Sequence, residues 1–339
     1  VGADRSSIGS GPAGQQDGPA GDPVETTVSG SRGVGRSRAA EGAENFPVAM
    51  RVLPRELRLA LRAVYDVVRV IDDLGDEPGP VARSGTETNA GDTPERRVAR
   101  LDAFAADLGR VWAGGRPDAP VLRALVPVVR GRGLMQDPFD RLIAANLADQ
   151  RVERYETLAD LLGYCALSAV PIGRLVLQLF RVDAPAGSPV EQRADAVCTA
   201  LQLLEHCQDV AEDRARGRVY LPADDLRVFG VAEADLDAPH ATPALARLVR
   251  HETDRALELL GSGAGVVADL HGWARVAVAG YVAGGRAAGD ALLRVHGDVL
   301  GRVASTRRRD VLRHLVVALA SARSAPARLA QASTVRSTP

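Results

Sequence analysis

From residue 44 onward, apolar side chains recur three and four positions apart, the period of helices with one buried face. Pro54 suits the first position of a helix. Leu57, Leu61, Val64, Val68 and Ile71 continue its face until Pro78, Gly79 and Pro80 stop it. The residues from there to Thr93 are polar and glycine-containing, a loop that either covers a site or is a plain surface insertion. Thr93 and Pro94 read as N-cap and first helical position ahead of Val98, Leu101, Phe104, Ala105 and Leu108. Helices follow over residues 119–130 and 139–155, the second carrying Asn146, Asp149 and Gln150. Residues 158–180 are strongly apolar, with a kink expected where Pro171 and Gly173 interrupt them. Ala166, Ser168, Ala169 and Gly173 leave two readings open there, room for an apolar ligand or close helix packing. Helices over 189–217, 242–260, 266–300 and 309–322 complete the pattern. No strand period appears, so the predicted fold class is all-α.

Composition refines this picture at the ends. Residues 1–43 are rich in Gly, Ser, Ala, Pro, Asp and Arg and hold almost no large apolar side chains. They cannot offset their ordering entropy by burial, so a disordered arm is expected, and no apolar segment behind a basic start marks a secretory signal. The expected organisation is an arm over 1–43, a helical domain over 44–323 and a polar tail over 324–339. Hydrophobic residues make up 46% and aromatics 4%, which suits a core filled by aliphatics. All 42 basic residues are arginines, and 43 acidic ones bring the formal net charge to -1. That balance gives no support to a nucleic-acid partner. Cys165, Cys198 and Cys207 form an odd set without metal spacing, as in a reduced, cytoplasmic protein. No run of about 18 uncharged apolar residues suggests a membrane span.

The chemistry concentrates in two acidic stretches. In the first, YDVVRVIDDLGDE (65–77), Asp72 and Asp76 share a helix face, with Asp73 beside them and Arg69 and Tyr65 on preceding turns. Carboxylates this close repel, by a few tenths of a kcal/mol per exposed pair, and a hard dication such as Mg2+ relieves them. A single cluster of this kind is readily explained as a solvated helix end. A second one repeats the pattern: Asp209 and Asp213 again stand four apart, followed by Arg218 and Tyr220. Two facing carboxylate rows in a helical bundle make a pocket for several Mg2+ ions around a diphosphate. Arg218 adds a planar, permanently charged fork for phosphate oxygens. The six histidines form no nucleophile motif, and His206 reads as a packed or exposed side chain.

The two stretches, 65–77 and QDVAEDRARGRVYLP (208–222), resemble the aspartate-rich motifs of the squalene/phytoene synthase family of head-to-head prenyl synthases. The resemblance extends to ENFPVA at 44–49, RYETLADLLGYCALSAVPIGRLVL at 154–177 and AGYVAGGRAAGDALLR at 279–294. ENFPVA and the pattern around Tyr164, Pro171 and Gly173 are most similar to the hydroxysqualene synthase branch found in bacterial hopanoid gene sets. Two positions depart: Glu205 stands where the family carries Asn, and Val170 where the branch pattern has Asn.

The resemblance implies a single-domain isoprenoid synthase bundle with a central apolar cavity. It implies Mg2+ as cofactor, held by Asp72, Asp76, Glu205, Asp209 and Asp213, with Tyr65, Arg69, Asp73, Arg218 and Tyr220 acting on the diphosphate. The implied substrate is a prenyl diphosphate, in the nearest branch presqualene diphosphate, converted with water to hydroxysqualene. Head-to-head condensation of farnesyl or geranylgeranyl diphosphates is the alternative within the family, and a non-catalytic scaffold with this fold the alternative outside it. Association with other squalene-pathway enzymes follows from the same resemblance. A lipid-soluble substrate also implies peripheral contact with the inner face of the membrane. The arginine-rich residues 302–313, followed by LVVALA, read either as a basic amphipathic contact with anionic headgroups or as an ordinary terminal bundle helix.

Overall fold

Helix starts in this protein are set by side chains that accept the first free amide hydrogens. Thr93 Oγ1 accepts from the Arg96 N–H with Pro94 at the first position, and Ser188–Pro189 and Thr242–Pro243 repeat the device. Thr157 and Asp160 form a reciprocal capping box. The computed structural model describes residues 53–76 and 93–335, with side chains to residue 322. The arm, ENFPVA, Glu77, the Pro-Gly-Pro stop and the polar loop lie outside the described residues.

The elements are α1 (Arg55–Gly75), α2 (Pro94–Ala113), α3 (Pro120–Arg132), α4 (Asp137–Ala148), α5 (Leu158–Ser168), α6 (Val170–Leu179) and α7 (Pro189–Gln208). They continue as α8 (Val210–Ala215), α9 (Ala223–Phe229), a 3-10 turn (Glu233–Asp237), α10 (Pro243–Gly263), α11 (Val266–Asp269), α12 (Gly272–Arg294) and α13 (Arg308–Val335). The architecture is all-α; among the described residues the extended pairing is one isolated bridge, Arg154 with Val219.

Three apolar clusters hold the helices. Val64, Val67 and Ile71 of α1 meet Leu101, Leu108, Leu122 and Phe139 of α2, α3 and α4. Leu203 and Leu204 of α7 meet Leu245, Leu248 and Val249 of α10 and Leu292 of α12. Val197, Leu260, Val278, Val282 and Ala318 join α7, α10, α12 and α13. Helix α6 sends Leu175 and Leu179 to the first cluster and Val176 and Leu177 to the third, so it ties the two halves. Each fully buried Leu or Ile contributes about 1.5–3 kcal/mol relative to exposure.

Several boundaries differ from the sequence pattern. Pro54 is the N-cap of α1 rather than its first helical residue, with an extended ψ of 144°. Helix α1 stops at Gly75, before the prolines, because Gln150 Nε2 takes up the Gly75 carbonyl at 2.9 Å. Helix α4 stops at Ala148, not near Tyr155. The following segment instead pairs outside itself: Glu153, Tyr155 and Glu156 carbonyls accept from Val219, Ala223 and Asp224 N–H groups at 2.8–3.1 Å. The kink at 158–180 is a full break at Ala169, where Pro171 supplies no N–H. Residues Leu158–Leu179 are apolar and long enough to cross a bilayer by composition. They are split by that break, and Arg174 among them pairs with Asp195 at 2.8 Å. The 266–300 helix breaks at Leu270 and His271, both extended, ahead of Gly272 at φ +54°. The last helix continues through Val335, beyond the expected 322, over a sequence rich in the helix formers Ala, Arg and Leu.

Close approach accounts for part of the small-residue content. A Cβ at Gly173 would lie 2.5 Å from Cys198 Sγ, so α6 and α7 use that glycine to pack. At Gly263 it would lie 2.6 Å from the Arg193 carbonyl oxygen, a backbone atom that cannot swing aside. Gly263→Ala is therefore expected to destabilise the protein by about 1–3 kcal/mol, lowering Tm by several degrees in thermal unfolding. Gly284→Ala, where nothing lies within 4 Å, should leave Tm unchanged or slightly raised. Equal Tm values for the two variants would contradict the packing of α10 on α7.

Candidate active site

The end of α1 carries the first aspartate row. Tyr65, Arg69, Asp72 and Asp76 fall at intervals of four, three and four, so they follow one face. Asp76 is the C-cap rather than a helical residue, with ψ at 148°, and its N–H donates to the Asp72 carbonyl at 2.8 Å. Burial pushes the Asp72 carboxyl up to about 7, against the Asn146 amide, whose Nδ2 lies 3.4 Å from Asp72 Oδ1. Burial also raises Asp76, while Arg216 and Arg218 oppose the shift. Arg69 pairs with Asp73 at 3.0 Å on the solvent side, and Tyr65 is exposed. Asn146 and Gln150 on α4 brace the row: Gln150 bonds the Gly75 carbonyl and accepts from Arg97 Nε at 2.7 Å.

The second row lies where α7 breaks into α8. The expected continuous helix bends at Asp209 (φ −101°, ψ 13°), yet the four-residue step survives. The Asp209 N–H donates to the Glu205 carbonyl at 2.9 Å, and the Asp213 N–H to the Asp209 carbonyl at 2.8 Å. Burial drives the Asp213 carboxyl up to about 8; Asp209 and Glu205 add to the rise, and Arg216 and Arg218 oppose it. The same two arginines act on Asp76. Asp76 and Asp213, distant in sequence, thus share one pair of cations, which brings the two rows into one site.

Gly217, at φ +78°, turns the chain so that Arg218 and Tyr220 run beside the 153–156 segment. Arg218 Nη2 donates to the Asp149 carbonyl at 3.3 Å, and Nη1 lies 3.9 Å from Asp149 Oδ2. Tyr164 donates its hydroxyl to that Oδ2 at 2.9 Å. Burial pushes Asp149 up to about 6 despite Arg218. Burial raises the Tyr164 and Tyr220 hydroxyls, Tyr220 in part through Asp149, so both remain protonated donors at neutral pH. Tyr155 stacks on Tyr220 with centroids 5.8 Å apart, and His206 stacks on Tyr220 at 3.9 Å. His206 is buried and pushed down to about 3 by that burial, so it is a neutral packing ring, held 3.3 Å from Gln202 Nε2. A small recess opens here, lined by His206, Asp213, Arg218 and Tyr220 among others. The sequence signals for Asp149, Asn146 and Gln150 were their polar character on an otherwise apolar helix; Tyr155, Tyr164 and Arg216 carried no such signal.

The donor set fits a hard dication. Asp72, Asp76 and Asp213 are carboxylates withdrawn from water, and Asp209 and Glu205 add charge beside Asp213. All-oxygen donors of this kind suit Mg2+, which keeps several waters and takes one or two carboxylates per ion. Asp225, His251 and Glu252 form another group, their ligand atoms within 4.8 Å of one another. A cation already serves that group: Arg255 Nη1 lies 2.8 Å from Asp225 Oδ2 and from both Glu252 oxygens.

Comparison with known proteins gives the family of the chain. The squalene/phytoene synthase family model matches residues 39–310. A hydroxysqualene synthase of Rhodopseudomonas palustris is 32% identical over 229 residues, 67% of this chain and 71% of that protein. A phytoene synthase of Mycobacterium bovis is 32% identical over 233 residues, 67% of this chain and 70% of that protein. The crystal structure of squalene synthase HpnC from Alicyclobacillus acidocaldarius superposes with a TM-score of 0.66 at 37% identity, covering 77% of this chain and 92% of that one. A match spanning both aspartate rows and the helices that carry them shows that the chain belongs to the squalene/phytoene synthase family.

Proposed function

We propose that this protein converts presqualene diphosphate and water to hydroxysqualene, releasing diphosphate with the help of Mg2+. The observation that carries the reading is the pair of half-buried aspartate rows on which Arg216 and Arg218 both act. The HpnC squalene synthase structure, at 37% identity, and the Rhodopseudomonas palustris relative both bear squalene-pathway names, which supports this branch.

Asp72, Asp76, Asp209 and Asp213, with Glu205 as a further carboxylate, would hold Mg2+. Bound there, the ion neutralises the diphosphate and stabilises charge on its departure. The chain's own residues do the rest. Arg218, fixed through Asp149, offers its guanidinium to phosphate oxygens, and Arg69 and Asp73 order the solvent side of the first row. Tyr164 and Tyr220 remain protonated and donate hydrogen bonds at the same end. Tyr65, exposed on the Asp72 face, is placed to meet the substrate's charged head. Departure of diphosphate leaves a carbocation, which needs apolar, nearly dry surroundings. Gly280 and Gly284, one turn apart on α12, have nothing within 4 Å of a built Cβ and leave space for a hydrocarbon chain.

Incubating the purified protein with presqualene diphosphate and Mg2+, and identifying the lipid product, tests the reading. Hydroxysqualene is the expected product. Formation of presqualene diphosphate, dehydrosqualene or phytoene from farnesyl or geranylgeranyl diphosphate alone would place the chain in another branch. Asp72→Ala or Asp209→Ala is expected to lower kcat at least about a hundredfold, with helical circular dichroism unchanged. Gly75→Ala tests the bracing of the first row. A Cβ there runs into Asn146 Oδ1, so the amide must leave Asp72. Activity should fall about tenfold or more, as when a supporting shell is lost, with a raised Mg2+ requirement. Unchanged Mg2+ dependence would remove Asn146 from the account.

A further inference from the structure

The outward face of α13 combines charge of one sign with aliphatic side chains. Residues 299–322 contain five arginines and one acid, Asp310. Asp310 is buried and accepts from Arg294 at 2.8 Å, with Arg309 Nε 3.9 Å from its other oxygen, so it balances the surface only at Arg309. Arg302, Arg307, Arg308, Arg309 and Arg313 are all exposed. Among them stand Val303 at 72% exposure, Leu312 at 61%, Val316 at 58% and Val317 at 45%. Positions 309, 312, 313, 316 and 317 are three and four apart and share one face, while Ala318 and Ala322 pack inward. Asp290 takes up part of the Arg313 charge at 2.6 Å, Arg302 lies 3.7 Å from Asp298 and Arg309 3.9 Å from Asp310, so Arg307 and Arg308, with the largely exposed Arg309, dominate the field.

A solvated bundle helix accounts for the arginines but not for four large aliphatics interleaved with them. Exposed apolar residues scattered singly need no explanation; a contiguous group within a basic face marks an interaction surface. The surface also adjoins the candidate site. Gln208 Nε2 donates to the Ala304 carbonyl at 2.8 Å, and Gln208 immediately precedes Asp209 of the second row.

We propose that this face docks the protein on an anionic lipid bilayer. The arginines meet headgroup phosphates, and Val303, Leu312, Val316 and Val317 enter the interface. Charge complementarity selects this partner, since no exposed acid on α13 before residue 322 would oppose an anionic surface. The surface rests on its own residues; the prenyl diphosphate reading explains only why docking beside Asp209 serves a substrate that partitions into lipid.

Flotation of the full chain with vesicles, in the absence of substrate and Mg2+, tests the surface independently of any activity. Binding is expected to phosphatidylglycerol-containing vesicles and not to pure phosphatidylcholine, weakening with salt. Arg308→Ser with Arg309→Ser should reduce partitioning by about fivefold per arginine. Leu312→Ser with Val316→Ser should reduce it as well, and both pairs should keep the parent Tm. Absence of flotation at low salt, or equal flotation of the arginine pair, would overturn the proposal. So would a dimer in sedimentation that is lost in Leu312→Ser with Val316→Ser, which would assign the face to a second copy.

Discussion

Carboxylates repel one another, and this protein holds several of them out of water around a shared pair of arginines. Asp76 at the end of α1 and Asp213 on α8 both lean on Arg216 and Arg218, yet burial still raises both carboxyls above their ordinary range. The negative charge left over is what hard dications can balance, leaving their other coordination positions for a diphosphate. Everything else in the site serves to keep that arrangement in place against its own electrostatics. Asn146 and Gln150 hold the end of α1, the Glu153–Glu156 backbone holds the strand-like turn after Gly217, and Asp149 holds Arg218.

The aspartate rows themselves are legible in the sequence because a spacing of four needs only a local helix to become a face. Helices α1, α2, α7 and α10 are equally legible, since Thr93, Ser188 and Thr242 caps announce three of them and apolar periodicity marks their buried sides. The breaks are different. Helix α4 ends at Ala148 because the next residues pair with Val219 and Ala223, partners some seventy positions away. The bend at Asp209 and the extension at Leu270 likewise depend on packing that no local window contains.

Tyr220 is legible beside Arg218, but the aromatic wall it joins is not, for the same reason. Tyr155, Tyr164, His206 and Tyr220 come from three separate segments and meet only in the fold, with ring centroids 3.9–6.2 Å apart. His206 shows how context decides a role. It stands three residues before Asp209 yet is the packed side chain its sequence position suggests: burial strips its charge and leaves a flat surface for Tyr220. Glu205 is the converse case, a carboxylate one turn before Asp209 whose charge acts directly on Asp213.

Cooperative binding of metal and diphosphate is the central claim, and thermal unfolding measures it without any turnover. Ligands that bind only the folded state raise Tm, the more so the further their concentration exceeds Kd. Mg2+ and inorganic diphosphate added together should raise Tm by more than the sum of their separate effects, and Asp72→Ala and Asp209→Ala should each abolish that excess. The same combined rise in both variants, or a full rise with diphosphate alone, would contradict the assignment of the two rows as one metal–diphosphate site.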